Sequence, residues 1–142
     1  MSKIAVVYWS GTGNTEAMAK AVVEGIENGG VEAQLFSAAE FDSSMLSSYD
    51  AVAFGCPAMG AEQLEDFEFE PLYESCRTSI SGKNVALFGS YGWGDGQWMR
   101  SWEESCRESG AILSSDSVIC SGYPDAGSLE DCRKLGKSLI SH

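Results

Sequence analysis

The segment Ile4-Ala5-Val6-Val7-Tyr8-Trp9 is a continuous apolar run closed by Ser10-Gly11-Thr12-Gly13, and a chain that begins this way has few folds open to it. An apolar run with no polar interruption reads as a strand buried on both faces, the habit of parallel sheets covered by helices. A helix follows at once. Asn14 to Asn28 carries Ala17, Met18, Ala21, Val22, Gly25 and Ile26 at helical spacing, and Gly29-Gly30 ends it. One strand-loop-helix unit is therefore complete by residue 30.

The pattern then repeats. Val31 to Phe36, Tyr49 to Gly55 and Asn84 to Ser90 read as strands, and Ala111 to Cys120 as a strand weakened by Ser114-Ser115-Asp116. Leu64 to Ser79 reads as mainly helical with a break near Pro71, Gly96 to Ser109 as a helix, and Ser128 to Ile140 as a final helix. Strands alternating with helices predict an α/β fold. Because each crossover is right-handed, the expectation is a doubly wound five-stranded parallel sheet with helices on both faces. With 142 residues and no linker, repeat or low-complexity tract, residues 1–142 are expected to form a single domain. Ligands of such sheets bind beyond the carboxyl ends of the strands, so the loops after strands one, three and four matter most.

Charge narrows the partners. Nine Lys and Arg stand against 21 Asp and Glu, a formal charge of −12. This excludes most nucleic-acid binding and disfavours anionic membrane surfaces. Residues 1 to 76 hold 13 acids and 2 bases, hence −11 of the total, so the acidity has a location. It serves either as a face for a cationic partner or as a solubility device. The five cysteines (Cys56, Cys76, Cys106, Cys120, Cys132) include no C-x-x-C pair, which predicts reduced, mostly buried thiols and a cytoplasmic protein. No run is long enough for a signal peptide or a membrane span.

Ser10-Gly11-Thr12-Gly13-Asn14-Thr15 sets hydroxyl and amide side chains beside the free N–H groups of a helix start, the makings of an anion site; a capped tight turn without a ligand is the alternative. It is not a Walker loop, since no Lys lies between Lys3 and Lys20. Nor is it a Rossmann fingerprint, since Glu16 stands where a third glycine belongs. In the later loops, Gly55-Cys56-Pro57-Ala58-Met59-Gly60-Ala61-Glu62 and Gly89-Ser90-Tyr91-Gly92-Trp93-Gly94-Asp95-Gly96, large polarizable side chains stand between glycines. Trp93, flanked by glycine on both sides, suits a platform for a flat ligand. Met59 is either the opposite wall or an ordinary gap-filler. Trp98 and Trp102, four apart, read as packing residues of a helix; Trp9 abuts the first loop and either walls it or is structural.

Those three loops, together with the run Ser81-Gly82-Lys83-Asn84-Val85-Ala86-Leu87-Phe88, resemble the flavodoxins, specifically the short-chain group, over essentially the whole chain. The resemblance implies strand order 2-1-3-4-5 and FMN at the switch point. It implies that Ser10, Gly11, Thr12, Gly13, Asn14 and Thr15 hold the phosphate, with Ser90 a further hydroxyl. It implies that Met59 and Trp93 sandwich the isoalloxazine, that Glu62 accepts from its N3–H, and that backbone near Tyr91, Gly92 and Gly94 meets its pyrimidine edge. Pro57 and Ala58 complete the second loop. Pro57 stands where relatives often carry a hydroxyl, and proline offers neither hydroxyl nor N–H.

The implied function is low-potential one-electron transfer, shuttling between semiquinone and hydroquinone, without substrate turnover of its own. The implied partners are basic-faced reductases and oxidoreductases that otherwise use ferredoxin, met by a monomer. The rival reading is an FMN-dependent reductase or a flavoprotein activator of a metalloenzyme on the same fold. By the same resemblance, the peptide between Met59 and Gly60 flips on reduction so that its carbonyl accepts the flavin N5–H, a movement glycine permits. Glu62, Glu65, Asp66, Glu68, Glu70 and Glu74, with no base between residues 57 and 76, oppose the second electron.

Overall fold

A computed structural model describes residues 3–59, 63–92 and 94–140. Its centre is a parallel sheet in which β1 (Lys3–Tyr8) lies between β2 (Glu32–Ser37) and β3 (Ala51–Gly55), with β4 (Asn84–Tyr91) beyond β3. The register is continuous: Val6 pairs Leu35 on one side and Ala53 on the other, and Ala53 pairs Ala86. The order β2-β1-β3-β4-β5 is the one expected, with the switch point between β1 and β3.

The last strand departs from the sequence reading. Instead of one element over Ala111 to Cys120 there are two, β5 (Ile112–Leu113) and β6 (Val118–Ser121), and both pair with β4. Val85 pairs Leu113 and Phe88 pairs Val118, so three steps along β4 are matched by five along its neighbour. The surplus leaves the ladder as a bulge-like excursion. Its hydroxyls are held on both sides: Ser117 donates to Glu103 Oε2 at 2.6 Å, and Ser114 Oγ lies 2.9 Å from Ser138 Oγ. The sixth strand is thus the second half of the fifth.

Two apolar layers sandwich the sheet. Ile4 and Val6 face one layer with Met18, Val22 and Ile26 of α1 (Asn14–Asn28) and Cys132 and Leu135 of α4 (Ala126–Ser138). Ala5 and Val7 face the other, with Phe69 and Tyr73 of α2 (Phe69–Cys76) and Trp98, Trp102 and Cys106 of α3 (Gln97–Glu108). Trp98 and Trp102 are therefore core residues, as their spacing predicts. Aromatic rings lock this second layer edge to face, with Phe69 and Trp102 centroids 5.4 Å apart at 83°. On the first layer α1 and α4 pack backbone to backbone. A Cβ on Gly25 would sit 1.9 Å from the Arg133 carbonyl oxygen, and one on Gly136 would sit 2.3 Å from that of Val22.

Two helix starts move. The helix expected from Leu64 begins only at Phe69, and Pro71 lies in its first turn, where its missing N–H is no loss. Ahead of it the Glu65 carboxylate accepts the N–H groups of Phe67, Glu68 and Phe69, which holds the turn that leads into the helix. The final helix starts at Ala126 behind an Asp125 cap that accepts from Ser128 N. The β2–β3 crossover contains short 3₁₀ turns at Ala38–Glu40 and Ser43–Ser48 in place of an α-helix.

Candidate functional site

A cavity of about 270 Å³ opens at the carboxyl ends of the strands. The expected residues Gly11, Thr12, Asn14, Pro57, Ala58, Met59, Ser90, Tyr91 and Gly92 line it, joined by Trp9 and Gly122. Sheet pairing brings these loops together. Trp9 N donates to Gly55 O at 3.0 Å, Ala58 N to Ser90 O at 3.0 Å, and Gly122 N to Tyr91 O at 2.9 Å. Gly122 follows β6, the loop that the sequence reading left out. Its signal was the glycine directly after the last strand, at the same sheet edge as the other loops.

The polar end of the cavity is the start of α1. Gly13 holds the left-handed region (φ 96°), which a side chain would strain, and caps the helix without a side-chain bond. Its own N–H is taken by Ser10 Oγ at 3.0 Å. Among the described residues, no acceptor is bonded to the N–H groups of Thr12, Asn14 or Thr15, the donors that a helix start leaves free and whose dipole favours an anion. Ser10, Gly13 and Thr15 do not line the cavity; they stand behind it. Thr15 and Ser90 are buried, with their hydroxyls 3.1 Å apart between the first turn of α1 and the end of β4, a bond that no local pattern announces. Glu16, the acid of the first turn, is turned aside onto Tyr8 Oη at 3.2 Å and Lys20 at 3.9 Å.

The other end is apolar: Pro57, Ala58, Met59, Tyr91 and the Trp9 ring. Met59 bonds Gln63 twice, donating to its carbonyl at 2.8 Å and accepting its N–H at 3.0 Å. The Met59 carbonyl is therefore already held, and a flip of the Met59–Gly60 peptide must release Gln63. Gly60, Glu62 and Trp93 lie outside the described residues, and Gly94 is exposed and does not line the cavity.

Beside this loop, Glu65 is only 5% exposed and its carboxylate accepts from the N–H groups of Phe67 (2.9 Å), Glu68 (2.8 Å) and Phe69 (2.8 Å). Burial pushes this carboxyl up, but the bonds from Phe69, Glu68 and Phe67 outweigh it and hold it below the usual carboxylate value. Glu68 in turn accepts from Trp9 Nε1 at 3.1 Å, tying the acidic loop to the cavity wall. Burial pushes the Cys56 thiol up to about 12, which favours its protonated form at neutral pH. All five cysteines are free and buried. No metal-ligand cluster occurs among the described residues.

An anion-binding helix start facing a flat apolar slot fits a phosphate carried on an aromatic ring system, and so fits FMN. The flavodoxin family model matches residues 6–136. The flavodoxin of Clostridium beijerinckii is 45% identical over 136 residues, covering 96% of this chain and 98% of its own. The solution structure of two-electron reduced Megasphaera elsdenii flavodoxin superimposes with a TM-score of 0.88 at 38% identity, over 96% of this chain and 97% of that one. An archaeal flavodoxin structure does so with a TM-score of 0.85 at 32% identity, over 96% of this chain and 95% of that one. The chain belongs to the flavodoxin family, the FMN-binding proteins of electron transfer.

Proposed function

We propose that the whole chain acts as one cytoplasmic, monomeric domain that carries electrons between larger redox enzymes and turns over no substrate itself. The observation that supports this best is the cavity itself: its polar end offers N–H and hydroxyl donors, and its other end offers only apolar walls. Bound FMN supplies reversible acceptance of electrons; the chain supplies the rest.

In this reading Thr12 and Asn14, with the N–H groups around Gly11 and Gly13, hold the phosphate, and Ser10 and Thr15 support that loop from behind through Gly13 and Ser90. Among the described residues no Lys or Arg lines the cavity, so these dipoles do the work of a counter-charge. Ser90 fixes the Thr15 hydroxyl and Ala58 together. Met59 covers one face of the ring, while Tyr91 and Gly92 meet it through the β4 loop. Trp93 takes the opposite face, Gly94 the pyrimidine edge and Glu62 the N3–H. The Met59–Gly60 peptide rotates at the cost of the Gln63 bond, exchanging one hydrogen bond for another. Pro57 contributes surface and no donor.

Partners are basic-faced oxidoreductases, because Asp66, Glu68 and Glu70 are exposed beside the cavity and none is in an ion pair among the described residues. Free, buried thiols support the cytoplasm, and no described helix is long and apolar enough to cross a membrane. Stepwise reduction of the FMN-loaded protein, followed in the visible, tests the reading. Two resolved one-electron steps are expected; a single two-electron bleaching would favour a reductase.

A further inference from the structure

Phe67 is 88% exposed, the most exposed large apolar side chain described, and its position is built rather than loose. Its backbone N–H is clamped to Glu65 Oε2 at 2.9 Å, and the next two N–H groups are clamped to Glu65 Oε1. Glu70 N adds a bond to Glu65 O at 2.8 Å. The neighbouring Glu68 is bonded to Trp9, which lines the cavity. The ring is thus displayed on a fixed loop one residue from the cavity wall. Asp66, Glu68 and Glu70 surround it in sequence, all exposed, and their charge is not cancelled by any described Lys or Arg.

From this arrangement we infer that Phe67 is a docking anchor: it inserts into an apolar pocket rimmed by Lys and Arg on the electron-transfer partner, with the cavity beside it. The inference rests on the carrier reading and adds to it the shape and chemistry of the partner. A residue whose backbone is already fixed loses little backbone freedom on docking, and buried aromatics at the centre of a charged rim carry a disproportionate share of affinity. A second copy of the chain is a poor occupant, since two acidic faces of a −12 protein would meet. A membrane is poorer still, because anionic lipid repels the same acids.

The test follows reduction of the FMN-loaded chain by a ferredoxin–NADP reductase pre-reduced with NADPH, as a function of chain concentration. Phe67→Ser raises the half-saturating concentration by roughly tenfold at both about 20 mM and about 300 mM salt, leaving the limiting rate, both midpoint potentials and FMN affinity unchanged. Phe67→Leu restores most of the loss, which a merely structural role would not explain. Asp66→Asn with Glu70→Gln raises the same concentration at low salt only. A Phe67→Ser variant that saturates like the wild type overturns the anchor and leaves the carrier reading standing. A dimer in sedimentation that dissolves in Phe67→Ser also overturns it. A wild-type chain that binds FMN yet is never reduced by the enzyme overturns the carrier reading and the anchor with it.

Discussion

Replacing Glu65 with Gln removes the charge around which residues 67–69 are organised. Oε1 serves Glu68 and Phe69, and Oε2 serves Phe67, at 2.8–2.9 Å in a residue 5% exposed. The amide retains one oxygen, now neutral, and turns an NH₂ donor towards a backbone donor. Hydrogen bonds to charged groups contribute about 1.5–3 kcal/mol each, so losing one outright and weakening two costs about 3 kcal/mol. Relief of repulsion among exposed acids returns under about 1 kcal/mol. The net loss is about 2–3 kcal/mol, a fall in Tm of about 6–10 °C for a domain of this size. Urea unfolding at fixed free FMN measures it. The pH dependence carries the sign. The hydrogen bonds from Phe69, Glu68 and Phe67 hold Glu65 below the ordinary glutamate value of about 4.3 in the folded state. Its contribution is therefore complete above that value and disappears as pH falls through the lower folded one. The gap between wild type and variant should be flat from about pH 8 to 5.5 and narrow below 4.5. A gap under about 0.5 kcal/mol at neutral pH, or one that does not close on acidification, refutes the reasoning.

Thr15→Val leaves the buried Ser90 hydroxyl without its partner, costing about 1–3 kcal/mol of stability, and weakens FMN binding by roughly tenfold in a fluorescence titration. Thr15→Ser should recover most of both. Gly25→Ala drives a methyl against the Arg133 carbonyl oxygen and forces α1 from α4; a thermal melt should show a loss of about 2–3 kcal/mol with the visible spectrum of bound FMN unchanged. Glu62→Gln with Asp66→Asn removes two charges; a unit charge at about 10 Å in an effective dielectric of about 40 would oppose the second electron by about 0.8 kcal/mol. Spectroelectrochemistry at low salt should place the second potential about 35 mV higher per charge, with a smaller change at about 0.5 M salt.

What the sequence could disclose about the fold divides by range. β1, β4, α1 and α3 were legible because each carries its own signal within a few residues: an unbroken apolar run, or apolar positions at helical spacing. Gly25 and Gly136 looked like ordinary helix-face residues, because only the crossing of α1 on α4 makes a Cβ intolerable there. The split of the last strand was half visible. Ser114-Ser115-Asp116 announced weakness, but only the register against Val85 and Phe88 shows that surplus residues leave the ladder. The late start of α2 was hidden for a related reason. A glutamate within a helical pattern reads as a solvated face, and nothing local says that Glu65 turns inward to hold the next turn's N–H groups.

The site divides the same way, and there the hidden part bears on function. That Thr12, Asn14, Met59 and Gly92 line the cavity is legible from glycine-flanked loops, since such loops advertise themselves. The bonds that hold those loops, Thr15 to Ser90 and Trp9 to Glu68, link strands and loops 59 to 75 residues apart and leave no local trace. Composition showed that the acids gather in the first part of the chain, but a solubility device explains that equally well. The Trp9–Glu68 bond and the Glu65 clamp support the proposed use: charges that act on a cofactor and a docking protein gain from being held in place, whereas charges that serve only solubility need no fixed backbone. On that proposal, the carboxylate taken out of water orders the acidic neighbours that face the partner.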